Sequence, residues 1–390
     1  MKDFFFDNTT KVYFGRNQLN HLTEEIDRLG NHVLFVYGGG SIKRTGIYDR
    51  IFSLLKDAGV MVTEYSGVEP NPRHTTVNKG AAVCHEQNID VILAVGGGSV
   101  IDCSKGIAAT VFADTGDVWD LVEGKKPVMQ ALPIIAVPTM AASGSEMNPG
   151  GVISNFDKKI KRALKSPMLR PVVTFADPTH TFTVPTYQTA CGSLDSMSHV
   201  LDSSYFSKQE SMDMILRMQE ELFKTVIRFA PIALKEPDNY EARANLMWAS
   251  MWAVNGFLAT EVRQMNACHI MEHELSAYYD ITHGHGMAII LPRWLTYILD
   301  ETTASRIYRF GRNCFQVPAG LSDLNGAKQS IVALSNFCFK ILGLSPHLSD
   351  FGIDEKHFEE MAEHACENGT INSFKSLNKD DIVEILKTCL

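Results

Sequence analysis

No Cys-x-x-Cys pair occurs among the eight cysteines, at positions 84, 103, 191, 268, 314, 338, 366 and 389. Their scatter excludes a dense disulfide framework and points to a reducing, cytoplasmic setting. Lysine and arginine form no block, and the formal net charge is -9. Nucleic acid is therefore excluded as an expected partner, because neutralising phosphates needs clustered cations. A locally held anionic cofactor is not excluded. The amino terminus offers only Phe4, Phe5 and Phe6 as a consecutive apolar run, so it reads as neither signal peptide nor membrane span. No stretch is low in complexity, and no internal repeat of solenoid length is visible.

What is present is enough apolar material for two cores: 390 residues, 45% of them hydrophobic. The first half alternates short apolar runs with amphipathic segments. Residues 33–37, 60–65, 91–95, 134–137 and 172–175 read as buried strands, and 44–58 and 75–87 as helices between the earlier ones. That order requires crossovers and a parallel sheet. From about Pro185 the periodicity becomes helical almost to Leu390. The expected organisation is an α/β domain over 1–187, with a Rossmann-like parallel sheet, and an all-α domain over 188–390.

Three loops follow predicted strands. Gly96-Gly97-Gly98-Ser99 lies between the 91–95 run and a predicted helix carrying Asp102 and Lys105. Glycines at such a turn let backbone N–H groups approach a diphosphate, and the helix amino terminus favours negative charge. The third glycine of the usual dinucleotide fingerprint is missing, so a turn that merely needs glycine is the alternative. A second run, Gly38-Gly39-Gly40-Ser41, follows Tyr37. A carboxylate near that strand end would hold the adenosine ribose and repel a 2′-phosphate. The local sequence holds none, while Lys43 and Arg44 stand close by, so NADP(H) is favoured and NAD(H) remains open. The third loop, Pro138-Thr139 to Ser143-Gly144-Ser145-Glu146, places small hydroxyl residues at a strand's carboxyl end.

The second half carries Asp195 and His199 four apart, His269 and His273 four apart, and His283. Residues four apart share a helix face, so two helices can converge on one divalent ion, with His273 as a helper. Imidazoles with one carboxylate suit iron(II) or zinc better than calcium or magnesium. The competing reading is of solvated or core histidines. A zinc-protease helix fits poorly, because His269-Ile-Met-Glu-His273 lacks glutamate directly after the first histidine. His285 reads as a cleft or surface residue rather than a fifth ligand.

Together these segments, with Gly67-Val-Glu-Pro-Asn71-Pro-Arg73 and Asp177-Pro178, resemble the iron-containing, or group III, alcohol dehydrogenases nearly end to end. Tyr37-Gly-Gly-Gly-Ser41 is most similar to the branch of butanol dehydrogenases and NADPH-dependent aldehyde reductases. The resemblance implies a dehydroquinate-synthase-like fold and hydride transfer between a nicotinamide and a metal-bound carbonyl of a short-chain primary alcohol or aldehyde pair. It assigns Asp195, His199, His269 and His283 to one divalent metal, Fe2+ or Zn2+, and His273 to catalysis. It puts Gly38, Gly39, Ser41, Asn71, Gly96, Gly97, Gly98, Ser99, Asp102, Thr139, Ser143 and Lys161 on the side of NADP(H) or NAD(H). Asp202 stands where relatives often carry glutamate and is expected to support His199. Trp252 and Phe257 are candidates for a pocket taking apolar aldehydes.

Alternatives are a glycerol or polyol dehydrogenase using zinc, a lyase-like relative of dehydroquinate synthase, or a nucleotide-binding regulatory protein with a structural metal. Residues 4–6 and 11–14 read as an early strand in need of a partner edge, which makes a homodimer the expected assembly.

Overall fold

The computed structural model describes residues 3–208, 212–260 and 266–390. Its first half builds a six-stranded, all-parallel sheet in the order β1-β8-β5-β4-β2-β3. The strands are β1 (Lys11–Phe14), β2 (His32–Tyr37), β3 (Met61–Tyr65), β4 (Val91–Gly96), β5 (Ile134–Pro138) and β8 (Val173–Ala176). All five expected runs are strands. The hairpin β6 (Gly150–Asn155) and β7 (Ile160–Lys165) was not foreseen and forms a separate antiparallel pair.

Strand periodicity explains why this sheet is buried on both sides. Leu34, Val36, Ile92, Ala94, Ile134 and Ala136 enter one core, with side chains from α2 (His74–Gln87) and α3 (Gly98–Thr110). The alternate residues Val33, Phe35, Val91, Leu93, Ile135 and Val137 enter a second core, with α1 (Ile47–Asp57). A strand covered on both faces is apolar throughout, which is why these runs show no polar alternation.

From α4 (Thr186–Val200) onward the elements of the described residues are helices. The elements that matter below are α5 (Asp213–Lys235), α6 (Tyr240–Val254), α7 (Ala267–Tyr279) and α8 (His283–Ile298). At Leu201–Tyr205 the end of α4 passes into one turn of π-helix.

The chain divides into two compact units. One comprises Asp7–Val184 together with Pro237–Asn255; the other comprises Pro185–Glu236 and Gly256–Leu390, with the residues up to Phe6. The expected division after 187 assigned α6 to the helical domain. The structure instead packs α6 in the α/β unit, where Met247 and Met251 join Met147 and Ala176, and Trp248 meets the edge of Phe14 at 5.3 Å. Arg16 also stacks over Tyr240, 4.4 Å from its ring centre. Helical periodicity alone cannot say which core an apolar face joins.

Candidate metal centre and nucleotide loops

Three helices of the helical unit bring the four metal candidates together. Asp195 and His199 share a face of α4, His269 lies in the first turn of α7, and His283 opens α8. Asp195 Oδ1 is 3.5 Å from His199 Nε2 and 3.5 Å from His283 Nε2. His269 Nε2 is 2.9 Å from His199 Nδ1, and the two rings stack. Ligand atoms of Asp195, His199 and His269 all lie within 4.8 Å of one another.

Carboxylates behind the rings set their orientation. Asp202, on the π-turn, accepts the backbone N–H of His269 at 3.0 Å and lies 2.8 Å from the ring Nδ1 of that residue. Glu272 meets His283 Nδ1. With Nδ1 engaged, Nε2 is the nitrogen that each ring would turn to an ion, the usual arrangement behind a metal-bound imidazole. Asp202 therefore supports His269, not His199 as expected. A π-turn adds a residue to the helical turn and changes where a side chain three positions on is aimed.

The donor set fits a divalent ion. His199 Nε2 is buried without a hydrogen-bond partner, and burial drives the ring's pKa down to about 4. The imidazole is thus neutral at ordinary pH, as a ligand must be. Three imidazoles and a carboxylate favour iron(II) or zinc.

His273, one turn after His269, is half-buried, with its ring centre 5.7 Å from that of His283. His285 is not a surface residue: it is 2% exposed, with Nδ1 3.1 Å from the Tyr187 hydroxyl and Nε2 2.9 Å from the Ser345 carbonyl oxygen. Both nitrogens being engaged, it serves packing. Phe257 packs on Phe6 in this unit. Trp252 packs on Trp248 in the other.

In the α/β unit, Gly97 is the N-cap of α3 and has no side chain with which to satisfy the first-turn N–H groups, leaving that terminus suited to an anion. Ser99 is half-buried in the same turn. Thr139 N–H donates to the Gly96 carbonyl at 3.0 Å, and a Cβ on Gly98 would fall 2.2 Å from Ser143 Oγ, so the β4 and β5 loops lie against one another. Gly38 and Gly39 follow β2, and exposed Ser41 opens a short helix, Ser41–Arg44. Asn71 adopts a left-handed backbone, φ 51°. Lys161, buried on β7, pairs in register with Ser154.

Asp102 braces this region. Its Oδ1 accepts the Ser145 hydroxyl at 2.5 Å and its Oδ2 the Val152 N–H at 2.9 Å, while burial pushes its pKa up. Lys105 is fully buried, and its Nζ lies within 3.0 Å of oxygens of Ser145, Asn148 and Gly150. Burial lowers its pKa to about 8.

One expectation about the cofactor is corrected. A carboxylate does stand near the end of β2: Glu64 of β3 accepts the hydroxyls of Tyr37 at 2.6 Å and Tyr48 at 2.7 Å, and lies 3.7 Å from Lys43 Nζ. Glu64 is 27 positions from Tyr37 and comes from the neighbouring strand, so the local sequence around β2 does not reveal it. The missing carboxylate is thus no ground for favouring NADP(H), although Lys43 and Arg44 do stand in the short helix after the glycine run.

Comparison with known proteins adds independent findings. The model of the iron-containing alcohol dehydrogenases matches residues 9–178, and that of the carboxy-terminal region of the Fe-containing alcohol dehydrogenase family matches 189–390. NADH-dependent butanol dehydrogenase A of Clostridium acetobutylicum is 45% identical, covering 99% of each chain. NADPH-dependent aldehyde reductase YqhD of Escherichia coli is 36% identical, covering 95% of this chain and 94% of its own. The crystal structure of NADH-dependent butanol dehydrogenase A from Thermotoga maritima superposes with a TM-score of 0.94 at 37% identity, covering 100% of this chain and 99% of the other.

Proposed function

The chain belongs to the iron-containing alcohol dehydrogenase family, and from that premise we propose that it interconverts short-chain primary alcohols and aldehydes, of the butanol and butanal type, with NAD(H) or NADP(H). The observation that carries the reading is the meeting of Asp195, His199, His269 and His283, with a buried, unpartnered nitrogen on His199. These four would hold a divalent ion, iron(II) or zinc. When bound, such an ion supplies a Lewis acid for the carbonyl, and the nicotinamide supplies the hydride.

The protein's own part is to hold and neutralise. The N-terminus of α3, with Gly96, Gly97, Gly98 and Ser99, binds the diphosphate, and Gly38, Gly39 and Ser41 lie on the adenosine side. Asn71, Thr139, Ser143 and Lys161 complete that side, and Asp102 acts there by bracing β6 and the β5 loop. His273 would hold the proton at a ring nitrogen and exchange it with the alcohol oxygen. The free cysteines support a reducing, cytoplasmic setting. No helix among the described residues is long and apolar enough to cross a membrane. The chain forms a homodimer in this reading, supported by β1, which ends the sheet with one edge unpaired among the described residues.

The test is oxidation of NADH and NADPH with butanal by the purified protein, before chelation, after it, and after adding back iron(II) or zinc. Activity should fall about 100-fold or more on chelation and return with metal. No oxidation in any state with either cofactor would shift the reading to a nucleotide-binding protein whose metal is structural.

A further inference from the structure

We propose that Glu272 is a positioning residue of the metal centre, aiming His283 at the ion. The inference rests on the metal reading above and assigns a function to a residue outside the proposed ligand set.

The Glu272 side chain has no exposure to solvent. A carboxylate in that position is stable only when its oxygens are hydrogen-bonded. Glu272 Oε2 meets His283 Nδ1, and Glu272 Oε1 faces the hydroxyl of Ser276, one helical turn along α7. The hydroxyl donates to the carboxylate, and the ring Nδ1–H donates to its other oxygen. That leaves the Nε2 lone pair of His283 turned toward Asp195 Oδ1. A buried anion behind an imidazole also makes the opposite nitrogen a stronger donor to a metal.

The backbone of α8 makes room for this carboxylate. A Cβ on Gly286 would fall 2.8 Å from Glu272 Cγ and 3.1 Å from Oε1. Only glycine at 286 lets the first turn of α8 approach α7 closely enough for Glu272 to reach His283. The glycine and the glutamate are thus one device.

Ligand atoms of Glu272, His273 and His283 also fall within 4.8 Å of one another, so the competing assignment is that Glu272 itself ligates an ion. The experiment separates the two. Wild type, Glu272→Gln, Gly286→Ala and His283→Ala are stripped of metal, checked for folding by circular dichroism, and titrated with zinc against a competing chelator. Each is then loaded with cobalt(II) for its visible spectrum. We expect Glu272→Gln and Gly286→Ala to bind zinc 10- to 100-fold more weakly, with the cobalt band shifted but its intensity retained. His283→Ala should bind far more weakly still. Zinc affinity of Glu272→Gln within twofold of wild type, with His283→Ala defective, overturns the positioning role and leaves the metal reading standing. Wild-type affinity in all three variants overturns both. A cobalt spectrum of lowered coordination number in Glu272→Gln makes Glu272 a ligand and overturns the positioning role. Should Glu272→Gln fail to fold, Gly286→Ala, which keeps every polar group, decides the question by the same affinity criterion.

Discussion

At the scale of single residues, His269 and His273 stand one turn apart on α7 yet have different surroundings. His269 is buried, backed by Asp202 and facing His199, whereas His273 is half-buried and nearest to His283. His269→Ala should therefore lose bound metal. His273→Ala should keep its metal and lose turnover by about 100-fold or more. Metal analysis beside kcat checks both, and equal metal content in the two variants would refute the division of roles. The histidine pattern was legible because spacing of four survives folding into any helix. Asp202 was seen but attached to the wrong ring, since its partner lies 67 positions away. Glu64 offers a pH test. The hydroxyls of Tyr37 and Tyr48 hold its carboxyl below its usual range, so the folded state binds the proton more weakly than the unfolded one. Its stabilisation is complete above the unfolded pKa, near 4.5, and is lost as pH falls through the lower folded value. Glu64→Gln should flatten the acid-side decline of the urea midpoint below about pH 5; an unchanged slope would show that the two hydroxyls do not perturb it.

Among the elements, α4 and α8 matter most because each carries ligands for the same proposed ion. Their close approach rests on Gly284, where a Cβ would stand 2.2 Å from the Cys191 carbonyl oxygen. Gly284→Ala should force the helices apart, lowering stability by about 1–3 kcal/mol and weakening metal binding, because Asp195 and His199 would move relative to His283. Urea unfolding of the metal-free protein, followed by zinc titration, measures the two effects separately. Lys105 plays a comparable part in the α/β unit, drawing Ser145, Asn148 and Gly150 onto α3. Lys105→Met would leave those oxygens without their donor in a buried site and should cost about 3 kcal/mol or more. The strands and helices themselves were readable because periodicity is local. The hairpin β6 and β7 was not, since its mixed-polarity strands lack an apolar run.

For the molecule as a whole, the return of α6 to the α/β unit has a direct consequence. Met247 and Met251 are fully buried there beside Met147 and Ala176, and Trp248 covers Phe14. A fragment ending at Val184 would expose that patch. Residues 1–184 expressed alone should unfold without a cooperative transition or aggregate, and the same fragment joined through a flexible linker to 237–255 should recover cooperative thermal unfolding. Equal behaviour of the two fragments would show that α6 adds nothing to this core.

The sequence by itself determined the order of strands and helices, the glycine loops after β2 and β4, and the histidine and aspartate spacing. Each depends on the local geometry of the chain, where a side chain's direction follows from its position in a strand or helix. Tertiary structure alone decided that Asp202 backs His269, that Glu272 meets His283 beneath a glycine, that Glu64 answers Lys43, and that α6 rejoins the first unit. Most of these contacts join residues tens of positions apart. The one between Glu272 and His283 spans only 11, yet it crosses from α7 to α8, and the direction in which α8 leaves that turn is set by packing against Cys191 rather than by the turn's own sequence.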